Sequence, residues 1–367
     1  MTEILAAVAV APHAPLELRT LQLADPHPNE VLVEVKSAGI CHSDLAGRDQ
    51  HMPVTLPCVL GHEGAGIVTA TGSDVTKVKV GDRVVMSQSF CGTCETCRAG
   101  RVTTCPNMGT LSLKGRRADG TATLTDESGT FISGGYMGQS SMASHALVRE
   151  PNVFRLADDV PWEVASPMAC GVQTGAGSIL HALQPDPSDS IVVFGSGTVG
   201  LSAVMAAKYT GCETIVAVDP LSGRRDIAKE LGATHTVDPG ADDAVEMIRD
   251  ITGGGADFSI EASGSTAAGP PALDCLGVRG TCLLLGVVPF GTKIEIDWIS
   301  LVSGRHVFGS PFGGGSPSET IDRLLEIRAA GGLPVEKIVR TYPFAEAQQA
   351  VADMEAGVTI KPVLLFD

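Results

Sequence analysis

SIVVFGSGTVGLSAVMAAKYTGCETIVAVD, residues 190–219, is an apolar run, a glycine turn, an Ala-rich stretch and a second apolar run. Ile191–Phe194 is short, continuous and β-branched, which predicts a buried strand. Gly195, Gly197 and Gly200, with Ser196, Thr198 and Val199 between them, form G-x-G-x-x-G. The first glycine permits a tight turn, the second lets the backbone approach a pyrophosphate, and the third lets the next helix pack on the strand. That helix opens near Thr198 and aims its positive end at the phosphates. Asp219 ends the second strand, where a carboxylate accepts hydrogen bonds from ribose hydroxyls and repels a 2′-phosphate. NAD is therefore expected rather than NADP. Arg224, grouped here with the cofactor-binding residues, and Arg225 oppose that preference slightly.

Working outward, strands alternate with helices from Ser190 through TIVAVD, THTVD, DFSIEA and TCLLLGV. Such alternation means βαβ units and a parallel sheet. Residues 1–150 differ: they are rich in Val, Pro and Gly, with short strand-like runs such as Glu30–Val35, Gly66–Thr71 and Asp82–Met86. A small β-barrel-like unit is expected there. Val164–Leu183 predicts one packed helix, and residues 111–130 a long polar loop. Past Phe312 the pattern predicts helices over Ser318–Ala330 and Phe344–Glu355, and strands near Ile338–Thr341 and Ile360–Phe366.

The chain has 367 residues, enough for two domains at roughly 100–200 residues each. It is 44% hydrophobic and 19% charged, so a core forms and wholesale disorder is excluded. A net charge of −16 argues against nucleic acid and anionic membranes, whose binding needs clustered Lys and Arg. Ser190–Ala207 is uncharged, but its three glycines mark a turn rather than a membrane span. MTEILAAVAVAPHAP lacks a basic leader region and reads as a first strand. A cytoplasmic location is expected. There the 10 cysteines would be metal ligands or core residues rather than disulfides.

Cys91, Cys94, Cys97 and Cys105 read C-x2-C-x2-C-x7-C. Four thiolates so close in sequence can close a tetrahedron around Zn(II), leaving no open position, so the site would be structural. An iron–sulfur cluster is the rival. A second, scattered set is GICHSD at residues 39–44, GHEGAG at 61–66 and Cys170 in MACG. Singly, each residue is as well explained as a core thiol or a turn histidine. Together, two cysteines and one histidine leave the fourth position on Zn(II) for water or substrate, which is the catalytic form of the site. Two zinc ions per chain, one catalytic and one structural, are therefore expected.

GHEGAGIVTATG, the four-cysteine cluster and GSGTVG together resemble the zinc-dependent alcohol dehydrogenases of the medium-chain dehydrogenase/reductase superfamily, over essentially the whole chain. GICHSDLAGRDQHMPVTLPCVLGHEGAG most resembles the aryl-alcohol (benzyl-alcohol) branch. The resemblance implies an α/β protein: a GroES-like, β-rich catalytic domain plus a doubly wound, parallel-sheet Rossmann domain. The catalytic domain would span residues 1–171, completed by 312–367, with the Rossmann domain at 172–311. It further implies that Cys41, His62 and Cys170 hold the catalytic zinc, that Glu63 stands beside it, and that Asp44 orients His62. Ser43 would accept the alcohol's hydrogen bond and start a proton relay. His42 and Lys361 would lie at the cofactor phosphates. Val288 would lie at the cofactor, near an alcohol pocket that also involves Met52, Ser87 and Phe312.

Two departures matter. Ala46 stands where liver-type relatives carry the histidine that ends the relay, so water or His51 must serve. Met52 and Gly109 stand where glutathione-dependent formaldehyde dehydrogenases are charged, which favours an apolar alcohol. The implied activity is reversible oxidation of a primary aromatic or allylic alcohol, such as benzyl alcohol or a terpene alcohol, to the aldehyde. The alternatives are a short-chain aliphatic or thiol-dependent formaldehyde dehydrogenase and, more remotely, a non-catalytic zinc- and dinucleotide-binding redox sensor. A homodimer or homotetramer is expected.

Overall fold

The computed structural model describes residues 1–367, and the chain divides into two units. The first comprises Met1–Cys170, Ser316–Ser318 and Glu336–Asp367; the second comprises Gly171–Gly315 and Glu319–Val335.

Two sheets build the first unit. A five-stranded sheet runs Cys58–Val59, Thr2–Ala9, Glu17–Leu23, Leu124–Thr125, Phe131–Ile132. A seven-stranded sheet runs Val153–Arg155, Arg83–Met86, Glu63–Thr71, Glu30–Gly39, Lys361–Leu365, Val339–Pro343, with His145–Arg149 pairing against Glu30–Gly39. Period-2 alternation divides the strands between cores. Val31, Val33 and Val35 join one apolar cluster with Val68 and Val84, while Leu32 joins Ile4, Val8 and Leu21 in another. Antiparallel pairing dominates; the pair Val339–Pro343 and Lys361–Leu365 is parallel.

The second unit holds six parallel strands in the order His235–Val237, Thr214–Val218, Ser190–Phe194, Ala256–Glu261, Leu276–Leu284, His306–Gly309. In chain order that is 3-2-1-4-5-6, the doubly wound arrangement whose ligand site lies at the carboxyl ends of the central strands. Val192, Phe194, Val216 and Val218 fill its core.

Three expectations need correction. The single helix predicted over Val164–Leu183 is three pieces: Trp162–Met168, Gly171–Gly177 and a π-helical turn at Ser178–Leu183. Pro167 cannot donate a backbone hydrogen bond, so the first piece stops within a turn and Cys170 falls in the gap. The polar stretch 111–130 is not bare loop; helix Met108–Leu113 enters it and its strand Leu124–Thr125 pairs with Gln22 and Leu23. Residues 319–335, expected to return to the first unit, group with the second. There Thr320 bonds His181 at 3.2 Å and Gly332 backs onto the Tyr209 ring.

Candidate metal centres and nucleotide-binding turn

Helix His42–Arg48 starts at Cys41, whose backbone N–H donates to Asp44 Oδ2 at 2.9 Å. A carboxylate three residues into a helix that reaches back to the first orphan N–H is a capping arrangement. Here the same carboxylate does more. Its Oδ1 accepts from the Gly61 N–H at 3.0 Å and stands 2.8 Å from His62 Nδ1. Asp44 thus ties the chain at Cys41 to the chain at His62, and it sets the imidazole tautomer. With Nδ1 turned to Asp44, Nε2 is left buried with no partner. An orphaned buried nitrogen is costly unless something else satisfies it.

The donor atoms of Cys41, His62, Glu63 and Cys170 all lie within 4.8 Å of one another. Two thiols, an imidazole and a nearby carboxylate around an unpartnered Nε2 fit a zinc ion. The electrostatics agree. The neighbouring Cys170 thiol, aided by His62 and Lys361, holds the Cys41 thiol well below its ordinary range despite burial, so the pair sheds a proton readily. Burial opposes a charged His62, but the Asp44 carboxylate outweighs it and raises the ring's basicity, which also strengthens it as a ligand.

Ser43 Oγ lies 3.7 Å from Cys41 Sγ, and the backbone carbonyl of Ser43 accepts the Tyr136 hydroxyl. The Tyr136 ring meets His62 edge-on, with centroids 5.9 Å apart. Gln139 donates to the carbonyls of His62 and Met86, and accepts from the Gly64 N–H. Tyr136 and Gln139 fix the ligand loop, yet no motif announces them. They come from the turn 135–140, whose contacts are set only in three dimensions. His42 and His51 are exposed, and Ala46 is buried. Ser87 donates to the Ala169 carbonyl, and Met52 packs in an apolar cluster with Leu45 and Tyr136.

Lys361, expected at the phosphates, is paired in the first unit with Glu63. It is 1% exposed, and its ammonium donates to both oxygens of Glu63 at 2.8 and 3.0 Å and to the Ile40 carbonyl at 2.9 Å. Its three protons are all engaged within the first unit. Its position in the sheet explains this: Val363, two residues on, pairs with Gly39, which also pairs with Glu63.

The four-cysteine cluster is equally specific. Cys91 and Cys105 sulfurs are 3.6 Å apart, and the Cys91–Cys97 and Cys94–Cys105 pairs are 3.9 Å apart. Zn–S bonds of about 2.3 Å at tetrahedral angles set S···S edges near ~3.8 Å. Thiols this close enclose one ion and leave no room for a multi-iron cluster. Backbone N–H groups of Cys94 and Cys97 point at the sulfurs of Cys91 and Cys94. A hydrogen bond from Asn107 leads the effects that lower the Cys91 thiol to about 5.

In the second unit, the first and third glycines of the turn each have a steric reason. Gly195 has φ +93°, and a Cβ there would meet the Ser263 backbone at 2.7 Å. A Cβ on Gly200 would meet the Gly195 carbonyl at 1.8 Å, whereas Gly197 faces open space. Helix Thr198–Thr210 starts immediately after it, led by Thr198 and Val199. Asp219, at the end of strand Thr214–Val218, accepts from the Ser196 N–H at 2.7 Å and the Leu221 N–H at 2.9 Å. Arg225 is committed to the Asp219 carbonyl and Asp238. Arg224 Nη1 reaches the Ser196 carbonyl at 3.4 Å; burial lowers its basicity against the pull of Asp219. Val288 is half-buried beyond the carboxyl end of strand Leu276–Leu284.

Residues 27–158 match the family of alcohol dehydrogenase GroES-like domains, and residues 198–329 match the zinc-binding dehydrogenases. A geraniol dehydrogenase of Castellaniella defragrans is 38% identical, over 96% of this chain and 95% of its own. This chain belongs to the zinc-dependent medium-chain alcohol dehydrogenase family. The S-(hydroxymethyl)glutathione dehydrogenase of Saccharomyces cerevisiae is 34% identical over 99% of this chain and 96% of its own. Among solved structures, benzyl alcohol dehydrogenase from Acinetobacter calcoaceticus superposes with TM-score 0.96 at 39% identity, covering all of both chains. The family matches and the three sheets agree with the expected pairing of a GroES-like and a Rossmann domain. No helix is long and apolar enough to cross a membrane.

Proposed function

We propose that this chain oxidises primary aromatic or allylic alcohols to aldehydes, reversibly, with NAD as hydride acceptor. The observation that carries the reading is the buried set of Cys41, His62 and Cys170, three donors around an unpartnered His62 Nε2, with the Ser43 hydroxyl beside Cys41. A zinc ion held there supplies a Lewis acid with one open position, favouring the anionic form of an alcohol. A second zinc in the cluster Cys91, Cys94, Cys97 and Cys105 is structural.

The chain's own groups do the rest. Asp44 keeps His62 Nδ1 protonated and the ring in place. Ser43 accepts the alcohol's hydrogen bond and passes the proton outward. Ala46 cannot continue that relay, so water or His51, exposed in the same unit, hands the proton to solvent. In the second unit, the turn Gly195–Gly200 receives the pyrophosphate and Asp219 the adenosine ribose, which favours NAD.

Substrate class rests on the benzyl-alcohol and geraniol relatives and on uncharged Met52 and Gly109. A homodimer or homotetramer is favoured by exposed Phe290, Trp298, Ile299 and Val302 around the edge strand His306–Gly309. A cytoplasmic location rests on ten unpaired cysteines.

A panel of benzyl alcohol, geraniol, ethanol and S-(hydroxymethyl)glutathione, each with NAD and NADP, tests the reading. The highest kcat/KM is expected for the first two with NAD. Highest efficiency with ethanol or the glutathione adduct would overturn the substrate class.

A further inference from the structure

Three neighbouring strands converge on one ion pair. Gly39 is opposite Glu63 on one side and Val363 on the other, and Lys361 shares a sheet face with Val363. A Cβ on Gly39 would stand 2.0 Å from Glu63 Oε2, so the carboxylate lies over bare backbone on its way to Lys361. There both carboxylate oxygens meet the ammonium, and neither side chain is open to solvent.

A Glu63 oxygen also lies within 4.8 Å of the donor atoms of Cys41, His62 and Cys170. Carboxylate is itself a good zinc ligand. Glu63 is thus a fourth donor within reach of a site whose chemistry needs the fourth position free. Building on the metal reading of Cys41, His62 and Cys170, we propose that Lys361 is a positioning residue that withholds Glu63 from the metal and keeps that position open. The charges support it. Two thiolates neutralise a dication and Lys361 neutralises Glu63, which leaves the Asp44 carboxylate, solvated by His62 and two backbone N–H groups, as the one excess charge. Without the ammonium, the carboxylate's nearest cation becomes the metal. A purely structural ion pair behaves differently: replacing it changes stability and leaves ligand exchange at the metal untouched.

The test uses cobalt-loaded holoenzyme titrated with imidazole. Only a site with an exchangeable position alters its visible absorption on binding imidazole; the closed four-thiolate cluster is silent. Lys361→Met is expected to weaken imidazole binding at least about tenfold, because a tethered carboxylate competes at high effective concentration. Lys361→Arg should bind as the wild type does, and Lys361→Met with Glu63→Gln should recover wild-type binding. Wild-type affinity in Lys361→Met, or a double variant as weak as the single, overturns the proposal. A wild type that does not respond to imidazole instead refutes the metal reading beneath it, and the proposal with it. Should Lys361→Met fail to fold, Glu63→Gln alone decides. It removes the competing arm, so imidazole should bind as it does in the wild type; binding about tenfold tighter would mean that Glu63 already occupies the position despite Lys361, and overturns the proposal.

Discussion

Asp44 Oδ1 stands 2.8 Å from His62 Nδ1, with both side chains sealed from solvent. The same carboxylate accepts the backbone N–H groups of Cys41 and Gly61, so two ligand-bearing segments share one anchor. Replacing it with an amide leaves the size and removes the charge. Asp44→Asn is expected to weaken metal retention roughly 10–100-fold, the range for partners that orient a metal-bound histidine. Chelator competition on the purified holoprotein measures it, and unaltered retention would remove Asp44 from that role.

Cys170 occupies the gap left when Pro167 ends its helix, within reach of Cys41 and His62. In Cys170→Ala, bound zinc should fall from two per chain to one and turnover should vanish. Nucleotide affinity should persist, since the turn Gly195–Gly200 is untouched. Metal analysis beside a nucleotide titration checks both halves, and full turnover with two zinc ions retained contradicts the assignment.

Asp219→Ser should erode discrimination between the two dinucleotides. The carboxylate repels a 2′-phosphate, and serine does not. The ratio of kcat/KM for NAD over NADP should fall by at least about tenfold, a change of ~1.4 kcal/mol. A ratio that stays put argues that another group reads the ribose.

Acid should expose a structural pair at the far end of the metal-site helix. Asp49 is partly buried, which disfavours its charge, but the hydrogen bonds and charge of Arg48 outweigh this and hold the carboxyl below its ordinary value. A depressed folded-state pKa stabilises above the unfolded value of about 3.9 and is lost as pH falls through the folded value. Asp49→Asn should therefore cost about 1–3 kcal/mol near neutral pH. The gap from wild type should close below about pH 4. Denaturant melts at pH 7 and pH 3 provide the comparison; an equal gap at both would mean the pair is energetically idle.

The nucleotide-binding turn of the second unit was legible in the sequence because its rules are local. Ile191–Phe194, three glycines and Asp219 each have a local duty within thirty residues, whereas the strand order is seen only in the structure. The first unit was legible only in its chemistry-bearing residues. Cys41, His62 and Cys170 were separable from ordinary core residues only as a set, and the structure brings that set together. The pairing of Lys361 with Glu63 was not legible because it is decided by cross-strand register, which a linear pattern does not carry. Gln139 and Tyr136 were missed for the same reason. The helix expected across 164–183 failed at Pro167, where a local breaker overrode apolar texture.

Lys361 and Glu63 are 298 residues apart along the chain. During synthesis the ribosome must therefore deliver all of residues 171–335 before the strand that carries the ammonium can take its place beside Glu30–Gly39. Until then Glu63 has no cation except one supplied by the surroundings. The contact that fixes Glu63 is therefore among the last that the growing chain can make, and it closes only when the sheet receives its C-terminal strand.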